Sequence, residues 1–178
     1  MNTKLLIAGF GGQGVLFAGK FLVYAGMMAG QEISWLPSYG PEMRGGTANC
    51  SVILSEDLIG SPIVDKPDIL IAMNLPSLDK FEDAAVPGGH IFVDSSLIAR
   101  RCVREDVICH YCPSTRLADE NGLKGLANMV MLGHVIAQCG LCSSEQLPAT
   151  MKKVIPERKK DMFDANMKAL ELGMNFHE

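Results

Sequence analysis

Six residues near the start of the chain, Gly9-Phe10-Gly11-Gly12-Gln13-Gly14, have a spacing that points to chemistry. They follow an apolar strand pattern over residues 5–8 and precede a long apolar helix that begins near Val15. A glycine turn between a strand and a helix directs free backbone N–H groups towards an anion such as a phosphate. The same spacing would also serve close packing of the strand against the helix, with no ligand. The residues of the turn that we expect to line a cofactor site are Gly9, Gly11, Gly12, Gln13 and Gly14.

A second glycine-rich loop follows the next predicted strand, Glu32–Leu36. A right-handed strand–helix–strand crossover makes these two strands parallel, so both loops leave the same edge of the sheet. Ligands of open α/β sheets bind at that edge. Arg44 stands among glycines on the second loop, where its guanidinium could pair with a phosphate or carboxylate through two hydrogen bonds, or simply pair with Glu42. The residues of this loop that we expect to contribute to the site are Ser38, Tyr39, Glu42, Arg44 and Gly45.

A dinucleotide site is the first alternative for a turn of this kind. It would need an acidic residue at the end of the second strand to bind the ribose hydroxyls. The acid near that strand is Glu32, which stands at its start and therefore on the wrong side. This placement disfavours an independent nicotinamide-dinucleotide-binding protein.

The cysteines and histidines do not form a recognisable catalytic or metal site. Two pairs have the C-x-x-C spacing, Cys109 with Cys112 and Cys139 with Cys142, but the interval between the pairs is longer than the ~15–20 residues of two-knuckle zinc sites. Cys109 and Cys112 fall in a predicted strand, where residues three apart point to opposite faces. None of the four histidines has a carboxylate or nucleophile at a catalytic spacing. We therefore predict no metal site and no catalytic residue, with Asp94 as a further polar candidate at the ligand edge.

Composition limits the remaining functional classes. The 178 residues are 48% hydrophobic and 20% charged, which favours one domain, residues 1–178, around a large core. A net charge of −4 argues against a nucleic-acid surface. Apolar runs do not reach the ~18 residues of a membrane span, and the start of the sequence lacks the pattern of a signal peptide. We expect a cytoplasmic protein.

Alternating and periodic patterns predict an α/β fold with a mixed sheet. Strands are predicted at residues 5–8, 32–36, 47–55, 69–73, 90–93 and 107–111, and the main helices at 15–30, 126–139 and in two segments after residues 143 and 156. The short connection from Ser55 to Leu58-Ile59 favours an antiparallel hairpin. The first helix is apolar on nearly every face, so it must be covered either by neighbouring helices or by another protein.

These motifs resemble those of the gamma subunit of 2-oxoacid:ferredoxin oxidoreductases. The resemblance rests on the glycine turn together with Gly40-Pro41-Glu42-Met43-Arg44-Gly45-Gly46, and it extends through Ala127-Asn128-Met129 to Gly173 near the end of the chain. The form GPEMRGGTANC is more similar to the 2-oxoglutarate and branched-chain 2-oxoacid members than to the pyruvate members. The resemblance implies a three-layer α/β/α sandwich with a mixed, largely parallel sheet.

The resemblance also implies a function within a larger enzyme. A 2-oxoacid is oxidatively decarboxylated and its acyl group passes to coenzyme A, with thiamine diphosphate held between alpha and beta subunits. Iron–sulfur clusters pass electrons to ferredoxin, and a ferredoxin-like delta subunit is expected as a further partner. The gamma subunit would hold no cofactor alone, would not be active alone, and would contribute subunit contacts and an edge facing the phosphates of coenzyme A. A structural or regulatory subunit without a ligand is the alternative.

Overall fold

Within the residues that the structure describes, the chain forms a six-stranded mixed sheet with helices on both faces. The structure, a computed structural model, describes residues 2–38 and 47–177. The strands are β1 (Asn2–Phe10), β2 (Glu32–Ser38), β3 (Thr47–Ser55), β4 (Ile69–Ala72), β5 (His90–Asp94) and β6 (Ile108–Cys112). The helices are α1 (Val15–Met28), α2 (Leu75–Phe81), α3 (Ser114–Glu120), α4 (Ala127–Cys139), α5 (Leu147–Val154) and α6 (Lys160–Met174). Short 3₁₀ turns cover Glu82–Ala84 and Glu157–Lys159.

The sheet has the order β2-β3-β1-β4-β5-β6. The pairings of β1 with β4, β4 with β5 and β5 with β6 are parallel, whereas β3 runs antiparallel to both β1 and β2. The predicted α/β class and mixed, largely parallel sheet are confirmed. The crossover through α1 makes β2 parallel to β1 as predicted, but β3 lies between them.

The predicted hairpin from Ser55 to Leu58 is wrong. Leu58 is 90% exposed and lies outside every strand, and β3 pairs instead along its full length with β1 on one side and β2 on the other. Two apolar residues, Leu58 and Ile59, are too few to indicate a strand. In the structure they lie outside the strands. The sequence also did not predict α3, because its seven residues include only one large apolar side chain, Leu117.

Alternating strand residues bury two separate cores, one on each face of the sheet. Leu5 and Ile7 of β1 face the thicker layer, which contains α1 and α4. Leu6 faces the opposite layer with Leu70, against Leu78 of α2. Side chains on adjacent strand positions point to opposite faces, so one apolar strand serves both cores. The three predicted layers are present, with most of the helical mass on one face.

Helix α1 is covered mainly by the rest of the chain. It packs on β2 and β3 and contacts α4 and α5. Gly19 and Gly26 allow this close approach, because a Cβ at Gly26 would lie 2.5 Å from Ile33 Cδ1. At its end, Met27 and Met28 remain 57% and 42% exposed. Within the described residues, no helix is both long enough and apolar enough to cross a membrane.

Candidate functional site: the carboxyl edge of the sheet

The glycine turn connects the carboxyl end of β1 to the first residue of α1, as the sequence predicts. Gly12 and Gly14 have φ values of 93° and 72°, in the left-handed region that glycine adopts without the cost of a Cβ. Gly9 serves a different purpose, because a Cβ there would lie 3.0 Å from both Met73 Cβ and Val15 Cγ1. The turn therefore combines close packing at Gly9 with an exposed segment at Gly11 and Gly12.

The side chain of Gln13 folds back into the turn. Its Oε1 accepts a hydrogen bond from the backbone N–H of Phe10 at 2.6 Å, and its Nε2 donates to the carbonyl of Met73 at 2.9 Å. The second contact joins β1 and β4 at the ends of the strands. Gln13 was predicted to bind a cofactor; in the structure its amide holds the turn in shape, and both of these hydrogen bonds are internal.

Asn128, near the start of α4, supports the turn from behind. Its Nδ2 donates to the Gly14 carbonyl at 3.0 Å, and a Cβ at Gly14 would lie only 2.5 Å from that nitrogen. Asn128 is 5% exposed, and its Oδ1 has no hydrogen-bond partner among the described residues. The sequence interpretation assigned this residue no role at the site. Its signals were its place in the Ala127-Asn128-Met129 motif of the resemblance and a polar side chain at the beginning of a mostly apolar helix.

The N-terminus of α1 presents backbone donors at this edge. Gly14 is its N-cap and makes no side-chain capping hydrogen bond. The first N–H groups of a helix have no partner within the helix, and they carry the positive end of its dipole. A phosphate or carboxylate group fits these donors chemically. Gly11 and Gly12 are exposed, so an anion can approach this part of the turn.

A buried carboxylate lies at the end of β5 on the same edge. Asp94 is fully buried, and its oxygens accept hydrogen bonds from the Ser96 N–H at 3.0 Å and from Thr115 Oγ1 at 2.5 Å. These contacts hold the end of β5 against the first turn of α3. Asp94 was predicted as a polar candidate at the ligand edge; it lies at that edge, where it fixes two loops and contacts no solvent.

A small cavity of about 190 Å³ separates the glycine turn from α3. Gly12 and Gln13 line one side, and Thr115 and Asp119 line the other. No lysine, arginine or histidine lines this cavity within the described part of the chain. Any side-chain positive charge beside an anion here would come from residues outside this lining.

The second predicted loop begins and ends beside this edge. Ser38 is exposed at the end of β2 and pairs with Asn49, and β3 begins with Thr47 opposite Phe10 of the glycine turn. The remaining predicted site residues of this loop lie outside the described residues; they are Tyr39, Glu42, Arg44 and Gly45. Because β3 separates β1 from β2, the end of β2 lies two strand spacings, about 10 Å, from the end of β1.

The cysteines are dispersed. Cys109 packs against the core beneath α2 and Cys112 against the core on the other face, as expected for strand residues three apart. Burial raises the pKa of the Cys109 thiol to about 12 and that of Cys139 to about 11. Among the described residues, no group of three histidine, cysteine or acidic side chains could hold a metal ion.

Three histidines gather in the thicker core, which the sequence did not indicate. His90 Nδ1 lies 2.9 Å from His110 Nε2, and the His110 ring stacks on Phe92 with centroids 4.3 Å apart. His134 packs edge-on against His110 at 5.9 Å. Burial, with smaller effects from His90 and His134, lowers the pKa of His110 to about 4. The three residues come from β5, β6 and α4, so only the fold brings them together.

The sequence of this chain is similar to those of known oxidoreductase subunits. The chain is 41% identical over 176 residues to the ketoisovalerate oxidoreductase subunit VorA of Methanothermobacter thermautotrophicus, covering 97% of this chain and 36% of that protein. It is 34% identical over 184 residues to the 2-oxoglutarate synthase subunit KorC of Methanothermobacter marburgensis, covering 97% of this chain and 95% of the relative. The chain thus spans about a third of the length of the VorA relatives and nearly all of the KorC one.

The fold of this chain is also similar to that of a solved oxidoreductase subunit. The gamma subunit of a keto/oxoacid ferredoxin oxidoreductase from Geobacter sulfurreducens PCA superposes with a TM-score of 0.81 at 27% identity, covering 97% of this chain and 96% of that one. The family model described as pyruvate ferredoxin/flavodoxin oxidoreductase matches residues 4–176. The chain therefore belongs to the pyruvate ferredoxin/flavodoxin oxidoreductase family.

Proposed function

We propose that this chain is the gamma subunit of a multisubunit 2-oxoacid:ferredoxin oxidoreductase. Its single domain, residues 1–178, would act in the cytoplasm within a complex that converts 2-oxoglutarate or a branched-chain 2-oxoacid to its acyl-coenzyme A. The observation that carries this proposal is the alignment with a KorC subunit of nearly the same length, 97% of this chain against 95% of the relative. The expected partners are alpha and beta subunits, a ferredoxin-like delta subunit, and ferredoxin as electron acceptor.

The cofactors of the reaction are assigned to the partner subunits. Thiamine diphosphate would supply the decarboxylation chemistry, and iron–sulfur clusters would carry the electrons. The six cysteines of this chain are free thiols that lie on both faces of the sheet. This distribution does not fit an iron–sulfur cluster. The role proposed for this chain is to bind and orient coenzyme A.

Coenzyme A would meet this chain at the carboxyl edge of the sheet. Gly11 and Gly12 are exposed there, and the N–H groups at the start of α1 fit a phosphate. Arg44 would supply the missing positive charge. It stands three residues before Thr47 in the sequence, and Thr47 pairs with Phe10 of the glycine turn. Gly9, Gly14, Ser38, Tyr39, Glu42 and Gly45 complete the proposed edge.

Substitution of Arg44 in the assembled complex tests this role. We expect Arg44→Ala to weaken the apparent affinity for coenzyme A about tenfold to hundredfold, because one charge-assisted hydrogen-bond pair is lost. The KM for the 2-oxoacid should change little. Arg158→Ala, at an exposed position in the 3₁₀ turn before α6, is the matched control. An unchanged affinity for coenzyme A in Arg44→Ala would remove Arg44 from the site.

A structural subunit without a ligand is the second candidate function. The internal hydrogen bonds of Gln13 and Asn128 favour it, because both side chains fill the turn from within. Under this alternative, Gly12→Ala would change assembly of the complex and leave the kinetics with coenzyme A unaltered. Under the coenzyme A proposal, the same variant raises the KM for coenzyme A in complexes that assemble normally.

An independent nicotinamide-dinucleotide-binding protein is the least favoured function. Glu32 lies at the start of β2, and β3 separates that strand from β1. Titration of the full chain with NADH should therefore show no saturable fluorescence change. Saturable binding at micromolar concentrations would restore this alternative.

A further inference from the structure

A second cavity lies at the carboxyl edge, at the corner where the outer strand β6 ends. Its volume is about 410 Å³, within the ~300–1,000 Å³ range of small-ligand sites. The side chains that matter for its chemistry are Ser95, Arg100, Arg101, Tyr111, Arg116 and His177. It shares no lining residue with the small cavity beside the glycine turn, so it is a separate feature of this edge.

The lining of this corner cavity is cationic. Three arginines line it, and neither aspartate nor glutamate does so in the part of the chain that the structure describes. The protein as a whole carries a net charge of −4, so the cluster is not a result of composition. A concave surface of one sign concentrates ligands of the opposite charge.

Arg101 is held in position by an aromatic ring. Its guanidinium carbon lies 4.1 Å from the centroid of the Tyr111 ring, and the Tyr111 hydroxyl accepts a hydrogen bond from the Cys102 N–H at 2.9 Å. No acidic side chain of the described ranges lies within ion-pair distance of Arg101. A guanidinium stacked on an aromatic ring keeps its hydrogen-bond donors available in a fixed plane.

Arg100 fixes the backbone beneath this group. Its guanidinium pairs with Asp79 at 2.6 Å and with Glu82 at 2.8 Å, which neutralises its charge. It also donates to the carbonyl of Arg101 at 3.0 Å. Arg100 is therefore a positioning residue for Arg101, and it adds little to the free positive charge of the cavity.

Arg116, on α3, provides the second available cation. Its contact with Glu120 is 3.9 Å long, and both side chains are more than 60% exposed, so this ion pair contributes little stabilising energy. The backbone N–H of Arg116 donates a hydrogen bond to Ser96 Oγ at 3.0 Å, which joins this turn of α3 to the loop after β5. Arg101 and Arg116 thus reach one cavity from two different elements.

We propose that this corner cavity binds a phosphate group of a small ligand, with Arg101 and Arg116 as the binding residues and Ser95 and His177 at its margin. Two guanidinium groups from separate elements suit a multiply charged oxyanion better than a single carboxylate, because each can donate two parallel hydrogen bonds. The cavity also lies outside the carboxyl ends of the two parallel strands β5 and β6. The proposal does not depend on the coenzyme A site at the glycine turn.

The test is calorimetric titration of the full chain with inorganic pyrophosphate at low ionic strength. We expect a saturable binding phase that weakens about tenfold to hundredfold in Arg101→Gln and in Arg116→Gln. Arg101→Lys should also bind more weakly, since lysine keeps the charge but loses the planar fork. Arg116 is exposed, so its variant decides the question even if a change at Arg101 disturbs folding.

Three controls make the result specific. Arg158→Gln should bind like the wild type, and equal weakening there would show only general electrostatic attraction and overturn the proposal. Succinate should bind more weakly than pyrophosphate, and equal binding would overturn the assignment to phosphate. Wild-type binding in Arg44→Ala supports the corner site. If Arg44→Ala abolishes binding and Arg101→Gln does not, the anion binds at the glycine turn instead. Absence of saturable binding to the wild type refutes the corner site directly.

Discussion

Replacement of Gly14 by alanine tests how the glycine turn is held. The left-handed conformation of Gly14 costs about 1–2 kcal/mol for a residue with a Cβ. The new methyl group would lie 2.5 Å from Asn128 Nδ2, so the Asn128 amide must move and its hydrogen bond to the Gly14 carbonyl is lost. That loss adds about 1–3 kcal/mol, because the amide is buried. We expect Gly14→Ala to lower the free energy of unfolding by about 2–5 kcal/mol.

Gly12 provides the matched control for this change. It also has a left-handed backbone, but a Cβ there meets no atom within 4 Å. Gly12→Ala should therefore cost only the backbone strain of about 1–2 kcal/mol. Urea unfolding gives the free energy of unfolding of both variants. The difference between the two values measures the contribution of the contact with Asn128.

A double-mutant cycle isolates this contact further. In an Asn128→Ala background the obstruction is absent, so Gly14→Ala should cost no more than Gly12→Ala does in the wild type. If Gly14→Ala and Gly12→Ala are equally destabilising in the wild-type background, Asn128 does not support the turn and our reasoning is refuted.

Three further predictions concern other parts of the core and the turn. Gln13→Ala should lower the free energy of unfolding by about 1–3 kcal/mol in urea, since two backbone groups lose their partner; a change below 0.5 kcal/mol would contradict this role. Gly173→Ala should destabilise far more than Gly140→Ala in thermal unfolding, because a Cβ at Gly173 would collide with the Val130 carbonyl, whereas Gly140 faces open space. Because the His110 pKa is lowered to about 4, the unfolded chain binds the extra proton between about pH 6.5 and pH 4, so stability should fall by up to about 3 kcal/mol as the pH falls through that window. His110→Phe should flatten this pH dependence, and an unchanged slope would assign it to other groups.

Most strands and the long helices could be predicted because their signals are local. The run Ile69–Ala72 is apolar at every position, which identifies a strand buried on both faces. The glycine spacing from Gly9 to Gly14, between an apolar strand pattern and a long apolar helix, identified a strand–turn–helix junction. The position of β3 could not be predicted, because its alternation is compatible with any neighbouring strand.

The glycine turn was located correctly from the sequence, but the internal hydrogen bonds of its Gln13 side chain were not predicted. Gln13 was a candidate ligand residue, and the structure shows it bonded to Phe10 and Met73. Its partner Met73, directly after β4, is 60 residues away in sequence. A polar side chain looks the same in a sequence whether its partner is a ligand or a distant carbonyl.

The sequence by itself determined the fold class, the family resemblance and the place of the glycine turn. All three depend on the periodicity of apolar residues and on short motifs, which are properties of residues close together in the sequence. Only the tertiary structure placed β3 between β1 and β2, gathered His90, His110 and His134 in one core, and brought Arg101 and Arg116 to one cavity. Such contacts join residues far apart in the chain, and they exist only because burial of both faces of the sheet selects a single arrangement of strands and helices.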